Sequence, residues 1–200
     1  MEFTKNNTFW IHEPTLYHFE EGKLAIITEP ETDFWQRTYY GFRNDNAPAL
    51  LIKTDEPYFS FTIKTEFDST HRFDQCGIMV YQDSDNWLKA SIEYENEYFQ
   101  RLGSVVTNCG YSDWATTDIP ADQKSMFYRL SRRKSDYLVE NSYDGIVLSD
   151  KGHFLSRKRN GQRSGIGISS IREIAERHGG SVSVYPMEHL FRVGITLPMK

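Results

Sequence analysis

The sequence predicts a mainly β protein: an antiparallel β-sandwich with a C-terminal αββ appendage. Three observations carry this. Short stretches of alternating apolar and polar residues, bounded by turn residues, recur up to about residue 140. A period of two is what a half-buried strand requires. Aromatic residues make up 14% of the 200 residues, with 13 Phe, 12 Tyr and 4 Trp, which is ample for a core and argues against disorder. A helical period occurs once, near the end, as "RSGIGISSIREIAERHGGSVSV" over residues 163–184.

Each element follows in chain order. "TLYHFEEGKLAIIT" gives two short strands around a Glu-Gly turn. In "YFSFTIKTEF", residues 58–67, Phe59, Phe61, Ile63 and Phe67 point one way and Ser60, Thr62, Lys64 and Glu66 the other. "CGIMVYQ", 76–82, is apolar on both faces and reads as a central strand. "DSDN", 83–86, is a turn; it lacks the glycine and distal glutamate of a calcium loop. "WLKASIEY", 87–94, sets Leu88, Ala90, Ile92 and Tyr94 against Trp87, Lys89, Ser91 and Glu93. "LGSVVTN", "MFYRLSR" and "DYLVEN" supply further strands. Ile168, Ile171, Ile174 and Ala175 then recur at helical spacing, Gly179-Gly180 ends the helix, and "SVSVYPMEHLFRVGITLP" makes two strands with a proline-containing turn.

Charge and cysteine content narrow the function. A net charge of -5 argues against a general nucleic-acid or membrane-surface role. The first twenty residues hold Glu2, Glu13 and Glu20 and no apolar run, so no leader is expected. Cys76 and Cys109 are too few for a disulfide framework and read as buried thiols of a cytoplasmic protein. No His-x-His or His-x3-His spacing suggests zinc, so no metal and no cofactor are expected. The basic run "SRKRNGQR", 156–163, reads as a solvated loop.

Five blocks resemble the DUF1349 family of regulation-of-enolase-type proteins: "TDFWQRTYYGF" (32–42), "FDQCGIMVY" (73–81), "NWLKASIEYEN" (86–96), "GSVVTNCGYSDW" (103–114) and "FYRLSRRKSDYLVE" (127–140). The resemblance implies a concanavalin A-like, or galectin-like, sandwich over residues 1–140, without that family's usual last strands. It implies carbohydrate-related binding and brings no established reaction. The remainder, 141–200, resembles the C-terminal half of a GHKL ATPase domain of sensor histidine kinases. "NSYDG" (141–145) matches a nucleotide box and "SGIGISSI" (164–171) a glycine box. The helix with the Asn-rich box is missing, so Asp144, Gly165 and Gly167 are expected as a vestigial nucleotide site without kinase activity. The join falls at "YLVENSYDG", and the chain reads as a chimera.

Sugars are held by aromatic rings on their C–H faces and by charged or amide groups on their hydroxyls. One strand face carries that chemistry in Trp87, Lys89, Ser91 and Glu93. "GYSDWA" adds Tyr111, Asp113 and Trp114, and "QRTYYGF" adds Arg37 and Tyr39. The expected function is non-catalytic, lectin-like carbohydrate binding tied to sugar metabolism. The alternative is a glycosidase on the same face, with Glu93 and Glu95 as the carboxylate pair; two strand positions two apart lie about 6.7 Å apart, near the spacing a retaining pair needs. The partners expected are a carbohydrate and, as a homodimer, a second copy of the chain.

Overall fold

The computed structural model describes residues 3–20, 22–142, 149–150, 153–154, 172–173, 175–177, 179–187 and 190–196. The chain forms two compact units: Met1–Glu56 with Tyr81–Trp87 and Thr107–Ser112, and Pro57–Val80 with Leu88–Val106 and Asp113–Lys200.

The first unit contains β1 (Thr8–Ile11), β2 (Leu16–Glu20), β3 (Lys23–Ile27), β4 (Phe34–Gln36), β5 (Arg43–Asp45) and β6 (Ala49–Ile52). They pair antiparallel as β1–β6, β2–β3 and β4–β5. Its core is aromatic. The Phe34 ring meets Trp87 edge-on at 5.6 Å and Tyr81 at 6.2 Å.

The remaining strands are β7 (Tyr58–Glu66), β8 (Gln75–Asp83), β9 (Asn86–Tyr94), β10 (Phe99–Asn108), β11 (Tyr111–Pro120), β12 (Ser125–Arg133), β13 (Asp136–Ser142), β14 (Ser149–Asp150), β15 (His153–Phe154), β16 (Ser181–Pro186) and β17 (Leu190–Thr196). One sheet runs β11-β10-β9-β8 and another β16-β17-β13-β12-β7. In the second unit the inner faces of these two sheets share one core. Ile78, Ala90, Ile92 and Leu102 come from the first sheet, and Met126, Tyr128 and Leu130 from β12. Phe59, Phe61, Ile63 and Phe67 pack against them, all from the face the alternation selects. Each fully buried aliphatic side chain contributes about 1.5–3 kcal/mol. The fold is a mainly β antiparallel sandwich.

Two expectations need correction, and one strand was not foreseen. β8 is not central: among the described residues it ends its sheet. Its apolar run reflects an inner face on the core, with Ile78, and an outer face carrying Met79 and Tyr81, which are only half-buried. The two cysteines are not both buried; Cys76 is half-buried and Cys109 exposed. β11 has no clear alternation in "YSDWATTDIP" yet pairs along β10.

The C-terminal elements appear as expected where they are described. Residues 172–173 and 175–177 are helical, and Ala175 is buried. Gly179, at φ 73°, ends the helix, and the Gly180 N–H donates to the Ala175 carbonyl at 2.7 Å. Ile168, Ile171 and Ile174 lie outside the described residues. The hairpin β16–β17 joins the five-stranded sheet, with β17 along β13.

Candidate functional site

In the first unit, β4 and β5 are joined by residues 37–42, and this loop is unusually constrained. Arg37, Tyr39 and Gly41 all adopt left-handed backbone, at φ 56°, 63° and 73°. For the two non-glycine residues this costs about 1–3 kcal/mol each and persists only where the surroundings impose it. Here they do. Arg37 N–H donates to the Phe42 carbonyl at 2.8 Å, Gly41 N–H to the Arg37 carbonyl at 2.8 Å, and Tyr40 N–H to the Thr38 carbonyl at 2.8 Å. The Trp35 indole N–H reaches the Thr38 carbonyl at 2.9 Å. Gln36 pins the base: its backbone N–H donates to Ser112 Oγ and its side-chain amide to the Ser84 carbonyl, both at 2.8 Å.

This frame presents aromatic rings outward. Tyr39 is 86% exposed. Tyr40 stacks on Phe42 at 5.4 Å with 14° between the planes and meets Trp35 edge-on at 5.7 Å. Tyr40 and Phe42 are exposed as well.

Charged groups converge beside the loop. The β8–β9 turn holds Asp85, and Cys109 and Gly110 form the two-residue β10–β11 turn at φ 50° and 76°, as a type I′ hairpin requires. The two turns are tied by a bond from the Gly110 N–H to the Asp85 carbonyl at 2.9 Å. Arg37 Nη1 donates to the Gly110 carbonyl at 2.6 Å and lies 3.9 Å from Asp85 Oδ1. Its guanidinium sits 5.7 Å from the centre of the Tyr111 ring, which is 63% exposed. Arg43 donates to Ser84 Oγ at 2.6 Å and lies 3.7 Å from the same Asp85 oxygen. Gly110 makes this possible: a Cβ there would stand 2.1 Å from Arg37 Nη1. The result is a hydrogen-bonded surface with two guanidiniums, the carboxylates of Asp85 and, 3.9 Å from Arg43, Asp45, and exposed rings.

Of the residues expected to bind sugar, Arg37, Tyr39 and Tyr111 belong to this surface. Trp87 is in the same unit but only 4% exposed, against Phe34, so its faces are not open to a ligand. Asp85, Arg43, Tyr40 and Phe42 were not singled out by sequence; Asp85 was read only as part of the "DSDN" turn, and Tyr40 and Phe42 only as members of "QRTYYGF".

The other expected residues lie in the second unit. Lys89, Ser91 and Glu93 share the outer face of β9, where Gln75 Oε1 accepts from Lys89 Nζ at 3.0 Å and from Ser91 Oγ at 3.5 Å. Asp113 and Trp114 point to opposite faces of β11, and Trp114 and Thr116 lie over Gly103. The Arg101 guanidinium covers Trp114 at 5.2 Å. Arg101 also lies 3.0 Å from Glu95 and 3.9 Å from Glu93, and Arg72 pairs with Glu95 at 2.7 Å. β9 ends at Tyr94, so Glu95 stands just beyond the strand. Both carboxylates of the glycosidase alternative are thus engaged by arginine. Asp144, Gly165 and Gly167 lie outside the described residues. Among the described residues no group of three or more His, Cys, Asp or Glu side chains is placed to hold a metal, and no helix is long and apolar enough to cross a membrane.

Comparison with known proteins gives the following. The DUF1349 family, described as a protein of unknown function, matches residues 10–161. The chain is 33% identical over 135 residues to Regulation of enolase protein 1 of Saccharomyces cerevisiae, covering 68% of this chain and 67% of that protein. It is 33% identical over 97 residues to Sensor protein ChvG of Agrobacterium fabrum, covering 44% of this chain and 16% of that one. In structure it is similar to a functionally unknown protein from Saccharomyces cerevisiae, with a TM-score of 0.61, 24% identity, and 96% and 88% of the two chains covered. It is also similar to a mutant of the GH43 protein BlXynB from Bacillus licheniformis, with a TM-score of 0.52, 15% identity, and 98% and 34% covered. Both structural likenesses speak to the fold alone.

Proposed function

The chain belongs to the DUF1349 family, and from that premise we propose that it is a non-catalytic carbohydrate-binding protein whose ligand sits on the 37–42 loop and the Arg37–Asp85–Tyr111 cluster. The observation that carries this reading is the strained loop. Backbone strain that is held by a set of local hydrogen bonds, and that ends in exposed aromatic rings, supports a binding role for the loop. Tyr39 and Tyr111 offer π faces to sugar C–H groups. The guanidinium of Arg37 and the carboxylate of Asp85 offer a donor and an acceptor to vicinal hydroxyls. The loop is fixed before the ligand arrives, so little ordering cost falls on binding. A link to sugar metabolism rests on the name of the yeast relative alone.

The glycosidase alternative is less well supported, because Glu93 and Glu95 both face Arg101. We read the segment 141–200 as a GHKL-type fragment without kinase activity. The partial similarity to Sensor protein ChvG supports this lineage, and the missing Asn-rich box is the reason to expect no turnover.

The test is a thermal melt with a panel of neutral, acidic and amino sugars and their oligomers, and with Mg-ADP. A ligand at a hundred times its dissociation constant adds about 2.7 kcal/mol of apparent stability. A rise with one sugar class supports the reading; a panel that shifts nothing refutes it. A rise with Mg-ADP alone would move the function to the C-terminal segment.

A further inference from the structure

The first unit is far more acidic than the chain as a whole. Its segments hold five Lys or Arg against twelve Asp or Glu, a formal charge of -7 with histidines neutral. The second unit holds eighteen against sixteen, a charge of +2. The net charge of -5 hides this asymmetry. The 37–42 loop, the 84–85 turn and the 109–110 turn all belong to the first unit, so a ligand there meets a strongly negative field.

The same sign holds at close range. The guanidiniums of Arg37 and Arg43 stand among three carboxylates. Arg37 lies 3.9 Å from Asp85, and Arg43 lies 3.7 Å from Asp85 and 3.9 Å from Asp45. The third carboxylate is Asp83. It accepts from the Asp85 N–H at 2.9 Å and from the Asn86 amide at 2.9 and 3.1 Å. Those donors are neutral, so they fix the group without cancelling its charge. The Tyr81 phenol registers the balance. Burial first, and then the carboxylates of Asp45, Asp83 and Asp85 against the guanidinium of Arg43, hold it above the ordinary tyrosine value.

The aromatic rings act in the same direction. The face of a tyrosine or phenylalanine ring is the negative part of its quadrupole and attracts cations. Tyr39, Tyr40, Phe42 and Tyr111 are all exposed. One cation already uses this set, since the Arg37 guanidinium lies over the Tyr111 ring. A carboxylate carried on a sugar would meet ring faces and surplus negative charge. An ammonium is drawn by both.

We infer that the ligand of the 37–42 site is an amino sugar with a free, protonated amine, and that the site discriminates against uronic acids. The inference rests on the proposed sugar-binding reading and names the class of sugar. Arg37 and Asp85 serve the hydroxyls of any sugar; the field of the unit and the exposed rings supply the preference for positive charge.

Calorimetric titration with matched ligands tests this. Short oligomers of glucosamine, glucose and glucuronate, and the same three in the galacto series, are compared where the amine is protonated. In the series that binds, the amine oligomer is expected to bind about two- to fivefold tighter than the neutral one, the effect of an exposed cation–π contact, and the uronate more weakly than either. Raising ionic strength from about 0.01 M to about 1 M shortens the Debye length from about 30 Å to about 3 Å. It should weaken the amine, strengthen the uronate and leave the neutral oligomer unchanged. Asp83→Asn keeps the acceptor oxygen and removes the charge, so it should lower the preference for the amine and leave neutral-sugar affinity as it was. Neutral oligomers that bind as tightly as amines, uronates that bind more tightly, or a preference indifferent to salt would overturn the inference while the sugar site stands. No binding by any member of either series would overturn the sugar site and the inference together.

Discussion

At the scale of single residues, two positions decide most. Gly110 has φ 76°, and its missing Cβ is the space that Arg37 Nη1 occupies. Gly110→Ala should cost about 1–2 kcal/mol from the left-handed backbone and also displace the guanidinium. Gly22 is the control: its φ is 75° and nothing stands within 4 Å of a Cβ there. Denaturant midpoints should fall for both variants, and sugar affinity only for Gly110→Ala. Equal losses of affinity would detach Arg37 from the site. Tyr128 is the second position. It is fully buried, and burial, with a smaller push from Cys76, raises its phenol well above the ordinary tyrosine value. Burial likewise pushes the Cys76 thiol up. Both groups therefore ionise more readily in the unfolded chain. Their contribution is complete below the ordinary values, near pH 8.5 for a thiol and 10 for a phenol, and is lost as pH rises above them. Urea midpoints should decline above about pH 9, and less steeply in Tyr128→Phe than in the parent. The phenol itself was invisible as a titration feature in "MFYRLSR"; only the facing strands make it so. Trp87 was misleading for a related reason. It alternates with Lys89 and Ser91, so it reads as part of a polar face, and the Phe34 ring that covers it comes from a distant strand.

At the scale of elements, alternation was a sound guide wherever a strand has one core face. β7 follows it residue for residue. It failed for β11, whose Ser112 hydroxyl bonds that of Thr107 on β10 at 2.6 Å, both groups buried despite their polarity. It also failed to place β8 at the end of its sheet, because an apolar run does not say how many neighbours a strand has. The contact between β8 and β9 is close at Gly77, where a Cβ would stand 2.0 Å from the Ala90 carbonyl oxygen and 2.7 Å from the Ser91 Cα. Backbone cannot step aside as a side chain can. Gly77→Ala should cost about 3 kcal/mol or more although the residue is exposed. A loss below about 0.5 kcal/mol, the usual surface value, would mean that the two strands are not so closely apposed. The loop 37–42 was only partly legible. Arg37 and Tyr39 stand out by residue type, but nothing in "QRTYYGF" announces three left-handed residues in five positions. Those follow from closure between β4 and β5, with Trp35 and Gln36 tied down from both sides.

At the scale of the molecule, the fold class follows from composition and period, while the proposed sugar site depends on residues that the topology gathers from three separate places: the 37–42 loop, the 84–85 turn and the 109–110 turn. No single stretch contains them, which is why Asp85 and Arg43 carried no signal of their own. The C-terminal segment behaves differently again. It looks foreign in sequence and is integral in structure, since β16 and β17 make two of five strands in the sheet. Deleting residues 181–200 should therefore abolish the cooperative thermal transition of the second unit rather than trim a tail, which circular dichroism at rising temperature would show. The most direct measurement is calorimetric titration of the parent and of Tyr39→Ala with the sugar class that raises the melting temperature. Tyr39 is exposed and its ring supports no core, so its loss should leave the melt unchanged while lowering affinity at least about tenfold, the effect of about 1.4 kcal/mol. Saturable binding that is lost with Tyr39 is the predicted result. Binding of equal strength in both proteins, or none in either, would contradict a sugar site on the 37–42 loop.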